Sequence, residues 1–414
     1  MIIKKILMTR KHRMYSKSIL ILLCPLLFAC GGKKSADSTN ADTQNGLVTF
    51  HLNAPPSKVE PLLLSELADS VSYVALETTK ETLTKDGVQY GDRFYTIVDK
   101  KLLCFDENGK FLHQVGKYGQ GPDEYIWYGN YYGGFNVDIT TNWVFCHTKG
   151  EQIQVYDEKG KYIKSLEEDG LSCCNKVYDN HVFIYTSDST YVIDTRTNKR
   201  VWFNKISAEL REKRTAIDKE YKGKEWYSSP GMNAVFYSSN DALYIWSATR
   251  SDTLFEINRK EFRPLCLLTP QNKYKYEDNY DETGKSILMQ PLVVRMYILK
   301  NKILLNVKFF TSLKEESSKN WVLCNFVDGS VTYYTNYIVN DLDGGPNILT
   351  PIASGDNIYS LSVEDLKNDE EIHNSYFTEG IKAKLKDQDG KFQRLLEPLA
   401  DDANPIIRTI HWKH

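Results

Sequence analysis

The feature that most constrains this chain is a repeated phrase. Phe105-Asp-Glu-Asn-Gly-Lys-Phe-Leu112 recurs fifty-one residues on as Tyr156-Asp-Glu-Lys-Gly-Lys-Tyr-Ile163. Each copy sets two apolar, strand-like runs on either side of a polar Asp-x-x-Gly turn, and each follows another short apolar strand. In an all-β chain, a period of roughly 40 to 50 residues is what propeller blades show. The same grammar continues with less identity. Tyr191–Asp194 turns into Arg200–Phe203, Asp252–Ile257 into Phe262, and Trp321–Phe326 into Val331–Tyr334. Short strands precede these hairpins at His181–Tyr185, Ala242–Trp246 and Ile303–Val307. Five blades are counted in this way, and a sixth begins at Asp356–Leu361. The chain ends on Ile406–Trp412, and that last blade must find its missing edge elsewhere. The alternating strand Ser70–Leu76 is available to supply it, which closes the ring and removes exposed edges. The expected fold is therefore an all-β, six-bladed β-propeller closed by an N-terminal strand. Small helical inserts are expected at 207–221, after the capping residue Ser362, and around Ile381–Leu385 and Gln393–Leu396.

After the first copy of the phrase comes Gly116-Lys-Tyr-Gly-Gln-Gly-Pro-Asp-Glu-Tyr125. Three glycines and a proline make a tight, non-repetitive crossing. The reading is a structural corner passing the chain from one sheet to the next, with Gly119, Gly121, Pro122, Glu124 and Tyr125 as its parts. A phosphate cradle would need a Lys-Ser/Thr pair opening a helix, whereas Gly121 is followed by Pro-Asp-Glu, which repels phosphate.

The N-terminus carries an address. Basic residues precede the apolar run Ile19–Phe28, which is about ten residues long, a secretory signal rather than a span of roughly twenty. It ends at Leu27-Phe-Ala-Cys30-Gly, which resembles the bacterial lipobox, and this implies that Cys30 is acylated and begins the mature protein. The expected domains are a signal peptide at 1–29, a lipidated flexible tether at 30–48 and the propeller at 49–414. The tether is polar and lacks the apolar surface to order itself. Lys33-Lys34 stand where surface-exported lipoproteins carry acids, which favours an outer-membrane anchor facing the periplasm over surface exposure. Residues 1–29 hold six Lys/Arg and no acid, so their removal takes the formal charge from −2 to −8. An acidic body argues against nucleic acid, whose recognition demands a basic face.

No catalytic signature is evident. Cys104, Cys146, Cys266 and Cys324 each lie in an apolar run and read as small buried hydrophobes. The vicinal pair Cys173-Cys174 has no evident role. The histidines are scattered, with His113 and His147 on strands as structural residues. Asp341-Leu-Asp-Gly344 and Asp387-Gln-Asp-Gly390 lack the first acid of a calcium loop and read as turns. No metal or other cofactor is expected. The richest stretch chemically follows the corner, where Trp127, Tyr128, Tyr131 and Tyr132 can stack on sugar rings or peptide side chains. Trp226 and Tyr227 form a second candidate pair. The alternative for all six is that they fill space between blades.

Together, the lipobox Cys30, Val71-Ser-Tyr-Val-Ala-Leu-Glu-Thr-Thr79, the hairpin running into Gly119-Gln-Gly-Pro122, Ser251–Phe255 and Asp402-Ala-Asn-Pro-Ile-Ile407 resemble the six-bladed, NHL- and TolB-like propeller lipoproteins of the Bacteroidetes. Asp123 stands where that family usually has another glycine. The resemblance implies no established reaction. It implies a monomeric envelope protein, held to the membrane through lipid on Cys30, that binds a glycan, a peptide or an envelope protein. The alternative is a hydrolase or lyase whose acids converge from several blades at the central channel.

Overall fold

The computed structural model describes residues 42–413 except 45, 54, 85–86, 127–133, 149–151, 168–173, 186–188, 206–233 apart from Glu212, 239–241, 248–250, 258–261, 270–291, 310–317, 344, 350–357 and 369–390. The described strands form seven sheets, and the propeller has seven blades rather than the expected six. The first blade contains Val88–Tyr90, Arg93–Val98, Lys101–Phe105 and Phe111–Val115. The second contains Phe135–Asp138, Trp143–Thr148, Gln152–Tyr156 and Tyr162–Glu167. Cys174–Tyr178, His181–Tyr185, Ser189–Asp194 and Lys199–Lys205 make the third. The fourth is built on Ala234–Ser238, Leu243–Ser247, Ser251–Ile257 and Phe262–Thr269. The fifth runs through Leu292–Leu299, Lys302–Phe309, Ser318–Asn325 and Val331–Tyr334.

The blade that sequence periodicity missed is the sixth, where Tyr337–Val339 pairs with Ile348–Leu349 and, in parallel, with Leu62–Leu63. Strands of two and three residues are too short to show alternation. The sheet is a wedge, since the Tyr297 ring of the fifth blade still reaches Trp412 of the seventh, with centroids 5.0 Å apart. The seventh blade joins Ile358–Leu361, Ile406–Trp412 and Ala68–Ala75. The expected N-terminal closing strand is thus present, pairing Val74 with Ile407 and Ser72 with Thr409.

The N-terminal segment reaches further than closure alone requires. Leu47–His51 adds in parallel to the outer edge of the fourth blade and, through its other edge, pairs with Asp42–Gln44, so sheet pairing begins upstream of residue 49. Phe50 and Leu52 are fully buried there, and Phe50 meets Phe326 of the fifth blade edge to face at 5.2 Å. The chain then crosses the fifth blade, where Tyr333 Oη accepts from the Asn53 amide at 2.8 Å and the Thr335 amide donates to Glu60.

The repeated Asp-x-x-Gly turn is a blade-to-blade latch. In the first blade Asp106 Oδ1 accepts from the amides of Asn108 and Lys110, both at 2.9 Å. In the second, Asp157 Oδ1 does the same for Lys159 and Lys161 at 2.9 and 2.8 Å. The turn is completed by glycine in the left-handed region, Gly109 at φ +80° and Gly160 at φ +76°, which side chains adopt only with strain. The carbonyl of each glycine then accepts from the preceding blade, Gly109 from the Glu77 amide at 2.7 Å and Gly160 from the Gly116 amide at 2.9 Å. A Cβ on Gly160 would stand 2.6 Å from the Gln114 carbonyl oxygen, so the close approach also demands glycine. The third blade keeps the idea with a different donor, since Lys164 of the second blade donates to the Thr195 carbonyl.

Cores form between neighbouring blades. Tyr95, Leu102 and Cys104 of the first blade pack with Phe135, Val144, Cys146 and Tyr156 of the second. All four cysteines expected to be buried are buried free thiols on strands. Two helices appear where expected. Val363–Asn368 is capped by Ser362 Oγ, which accepts from the Asp365 amide at 3.2 Å, and Lys391–Leu396 buries Phe392 and Leu396. The inserts expected at 207–221 and Ile381–Leu385 lie outside the described residues. No helix among the described residues is long and apolar enough to cross a membrane.

Candidate functional site

The corner between the first and second blades is organised by one acid and one phenol. Glu124 folds back under its own loop. Its Oε2 accepts from the Gly121 amide at 2.9 Å, and its Oε1 meets Lys117 Nζ at 2.7 Å. A Cβ on Gly119 would stand 1.9 Å from Glu124 Oε2, so glycine at this position is what lets the carboxylate enter. The Lys117 ammonium, followed by the Gly121 amide, holds the Glu124 carboxyl below the usual carboxylate range. The loop is thus an anion nest whose anion is its own side chain, which explains why Pro-Asp-Glu follows the glycines.

Tyr125 pins the loop to the blades. Its backbone exchanges hydrogen bonds with Lys117 and Gly119, at 3.0 and 3.1 Å. Its hydroxyl, fully buried, accepts from the Leu102 amide of the first blade at 2.8 Å, and burial pushes the phenol well above its ordinary range. The second blade grips the other side. Tyr156 Oη donates to the Asp123 carbonyl at 3.0 Å, and Gln154 Nε2 to the Pro122 carbonyl at 3.2 Å. Lys100, in the hairpin turn of the first blade, places its ammonium 5.2 Å from the Tyr118 ring centroid. The described part of the loop therefore offers a rigid ledge with two lysines and a half-buried Tyr118 at its rim.

Gly119, Gly121, Pro122, Glu124 and Tyr125 lie together in the segment between the first and second blades. Trp127, Tyr128, Tyr131, Tyr132, Trp226, Tyr227, Cys30 and Cys173 lie outside the described residues, and Cys174 opens the third blade. The grip from Gln154 and Tyr156 was hidden in the sequence because Tyr156 belongs to the repeated phrase and reads only as core. His113 and His147 lie on strands, and burial, followed by the Arg93 cation, lowers the basicity of His113.

Acids and bases on the inner strands are largely committed to structure. Asp138 of the second blade accepts from the Thr140 amide and hydroxyl, at 2.9 and 2.7 Å, and from the Asn180 amide of the third blade at 2.7 Å. Lys176 of the third blade lies 5.6 Å from the Tyr90 ring of the first. Asp341 accepts from the Ser65 amide and hydroxyl, at 2.8 and 2.6 Å, and serves a turn as expected. Among the described residues, no group of three or more His, Cys, Asp or Glu stands at metal-holding distance.

A family model described as Domain of unknown function (DUF4934) matches residues 47–411. Among solved structures, a Bacteroides fragilis protein named as a candidate exported protein shares 13% identity at a TM-score of 0.55, covering 88% of this chain and 100% of that one. BamB from Moraxella catarrhalis aligns at 12% identity and a TM-score of 0.37, over 68% of this chain and 88% of that one. No curated protein sequence is similar at a significant level. At such identities the first likeness bears on the propeller fold alone.

Proposed function

We propose that this chain, which belongs to the DUF4934 family, is a lipid-anchored envelope protein that binds a glycan, peptide or protein partner without transforming it. The observation that carries this reading is the fixed corner. Tyr125 and Phe135, which flank residues 127–133 in the sequence, are fully or almost fully buried. Rigid anchors lower the entropy cost of presenting a recognition segment. Its sequence holds Trp127, Tyr128, Tyr131 and Tyr132, side chains that stack on sugars and peptides while their polar atoms aim the contact. The lipobox ending in Cys30 supports the address, and the B. fragilis protein named as a candidate exported protein agrees with a place outside the cytoplasm. An outer-membrane anchor facing the periplasm is the reading that Lys33-Lys34 favours.

The binding half is tested by the melting temperature of the chain from Lys33 against oligosaccharides and peptides. A ligand at one hundred times its dissociation constant adds about 2.7 kcal/mol. A hit lost on Tyr131→Ala supports the reading, and a hit untouched by Tyr131→Ala places the site elsewhere. The anchor is tested by palmitate labelling in cells, which Cys30→Ser is expected to abolish.

A further inference from the structure

The second blade keeps open an edge of the kind that the fourth blade has filled. In each of the first four blades, a bulge in the pairing of the third and outer strands leaves one outer-strand residue without an opposite number. These residues are Leu112, Ile163, Val201 and Leu265, and each stands two positions after a cation, Lys110, Lys161, Lys199 and Arg263 in turn. The first three are exposed, at 43%, 37% and 54%. Leu265 is half-buried and packs against the same core as Val48, on the edge where Leu47–His51 adds as a parallel strand and sets Val48 opposite Cys266. Bulges and cationic side chains commonly guard an edge against pairing. They do not forbid it here, since the fourth blade has both and is paired.

The edge of the second blade is described from end to end. Tyr162–Glu167 is the last strand of its sheet among the described residues. Tyr162 and Ile163 are exposed side by side, with Lys159 and Lys161 exposed just before them and Glu167 exposed at the far end. The Tyr162 ring lies against Tyr156 with centroids 6.1 Å apart, and its hydroxyl shares a 2.8 Å hydrogen bond with Ser165 Oγ. An edge held in shape in this way costs little entropy to dock against.

We propose that this edge docks an extended segment of a protein partner, which adds to it as a parallel strand. Main-chain hydrogen bonds supply the affinity of such an addition, and alternate side chains supply its specificity. The direction is that of Leu47–His51 on the fourth blade. The segment carries alternating apolar residues, one of which covers Ile163, and acids at its N-terminal end, where Lys159 and Lys161 stand in a parallel alignment. The site stands whether or not residues 127–132 bind a ligand.

The test uses the full chain in detergent and a fluorescein-labelled peptide with two aspartates ahead of the sequence of residues 47–51, read by fluorescence anisotropy. Binding is expected, weakened at least about tenfold by Ile163→Lys. Lys161→Glu, or asparagines in place of the two aspartates, should weaken it about threefold. An edge strand is bonded through alternate residues, so methylating one alternating set of peptide amides should cost at least about tenfold more than methylating the other. No binding overturns the proposal, as does binding that Ile163→Lys leaves unchanged. Loss on Arg263→Glu alone assigns the peptide to the fourth blade in place of Leu47–His51 and overturns it too. So does sedimentation of the chain alone as a dimer that Ile163→Lys dissociates, which gives the edge to a second copy. Ile163 and Lys161 are exposed, and neither substitution is expected to move the melting temperature. Should Ile163→Lys fail to fold, Lys161→Glu and the methylated peptides decide.

Discussion

The two halves of the ring are held by different means. Blades one to three are joined by short, repeated latches in which an Asp organises its own turn and the following glycine or threonine carbonyl is bonded from the neighbouring blade. Blades four to seven are strapped instead by a single N-terminal segment, which adds strands at Leu47–His51, Leu62–Leu63 and Ala68–Ala75. Within the strap, just before its last strand, the Leu67 carbonyl accepts from the Lys413 amide. A latch can be repeated because it is local, whereas a strap is written once and depends on distant partners.

The largest expected effect breaks the strap. Phe50→Ala removes a fully buried ring that bridges the fourth and fifth blades, and should cost about 3–5 kcal/mol in chemical denaturation. Breaking one latch should cost less. Gly160→Ala forces a side chain into φ +76° and against the Gln114 carbonyl, and about 1–3 kcal/mol is expected from the same measurement. If Gly160→Ala proves the more damaging, the ring depends more on its latches than on its strap.

These two halves were also unequally legible. The latch turns stand in the sequence as a recurring phrase, and the closing strand announces itself by alternation from Val71 to Leu76. The four buried cysteines and the Ser362 cap were visible for the same reason, because local pattern decides them. The strap at Leu47–His51 and the sixth blade were not, since strands of two to five residues carry little period and their partners lie hundreds of positions away. Of the candidate site, the Gly119–Tyr125 corner was readable as a turn. That Glu124 fills the loop's own nest was not, because it depends on where a side chain folds back.

A smaller effect concerns pH on the latched side. His113 lies against the Gly160 turn, and its folded pKa is lowered by burial and Arg93. The unfolded chain then binds the proton more readily, so stability is complete above the unfolded value of about 6.5 and is lost as pH falls towards the folded pKa. His113→Gln should flatten stability over that window in urea titrations at stepped pH. A slope unchanged by the substitution would assign it to another group.

On the proposed function, the corner built on Glu124 positions a recognition surface. Its most direct test is the affinity of the ligand that best shifts the melting temperature, compared between the native chain and Glu124→Ala. The affinity is expected to fall at least about tenfold while the melting temperature barely moves, because the loop loses its internal anion and not its blades. Equal affinity in both would contradict it.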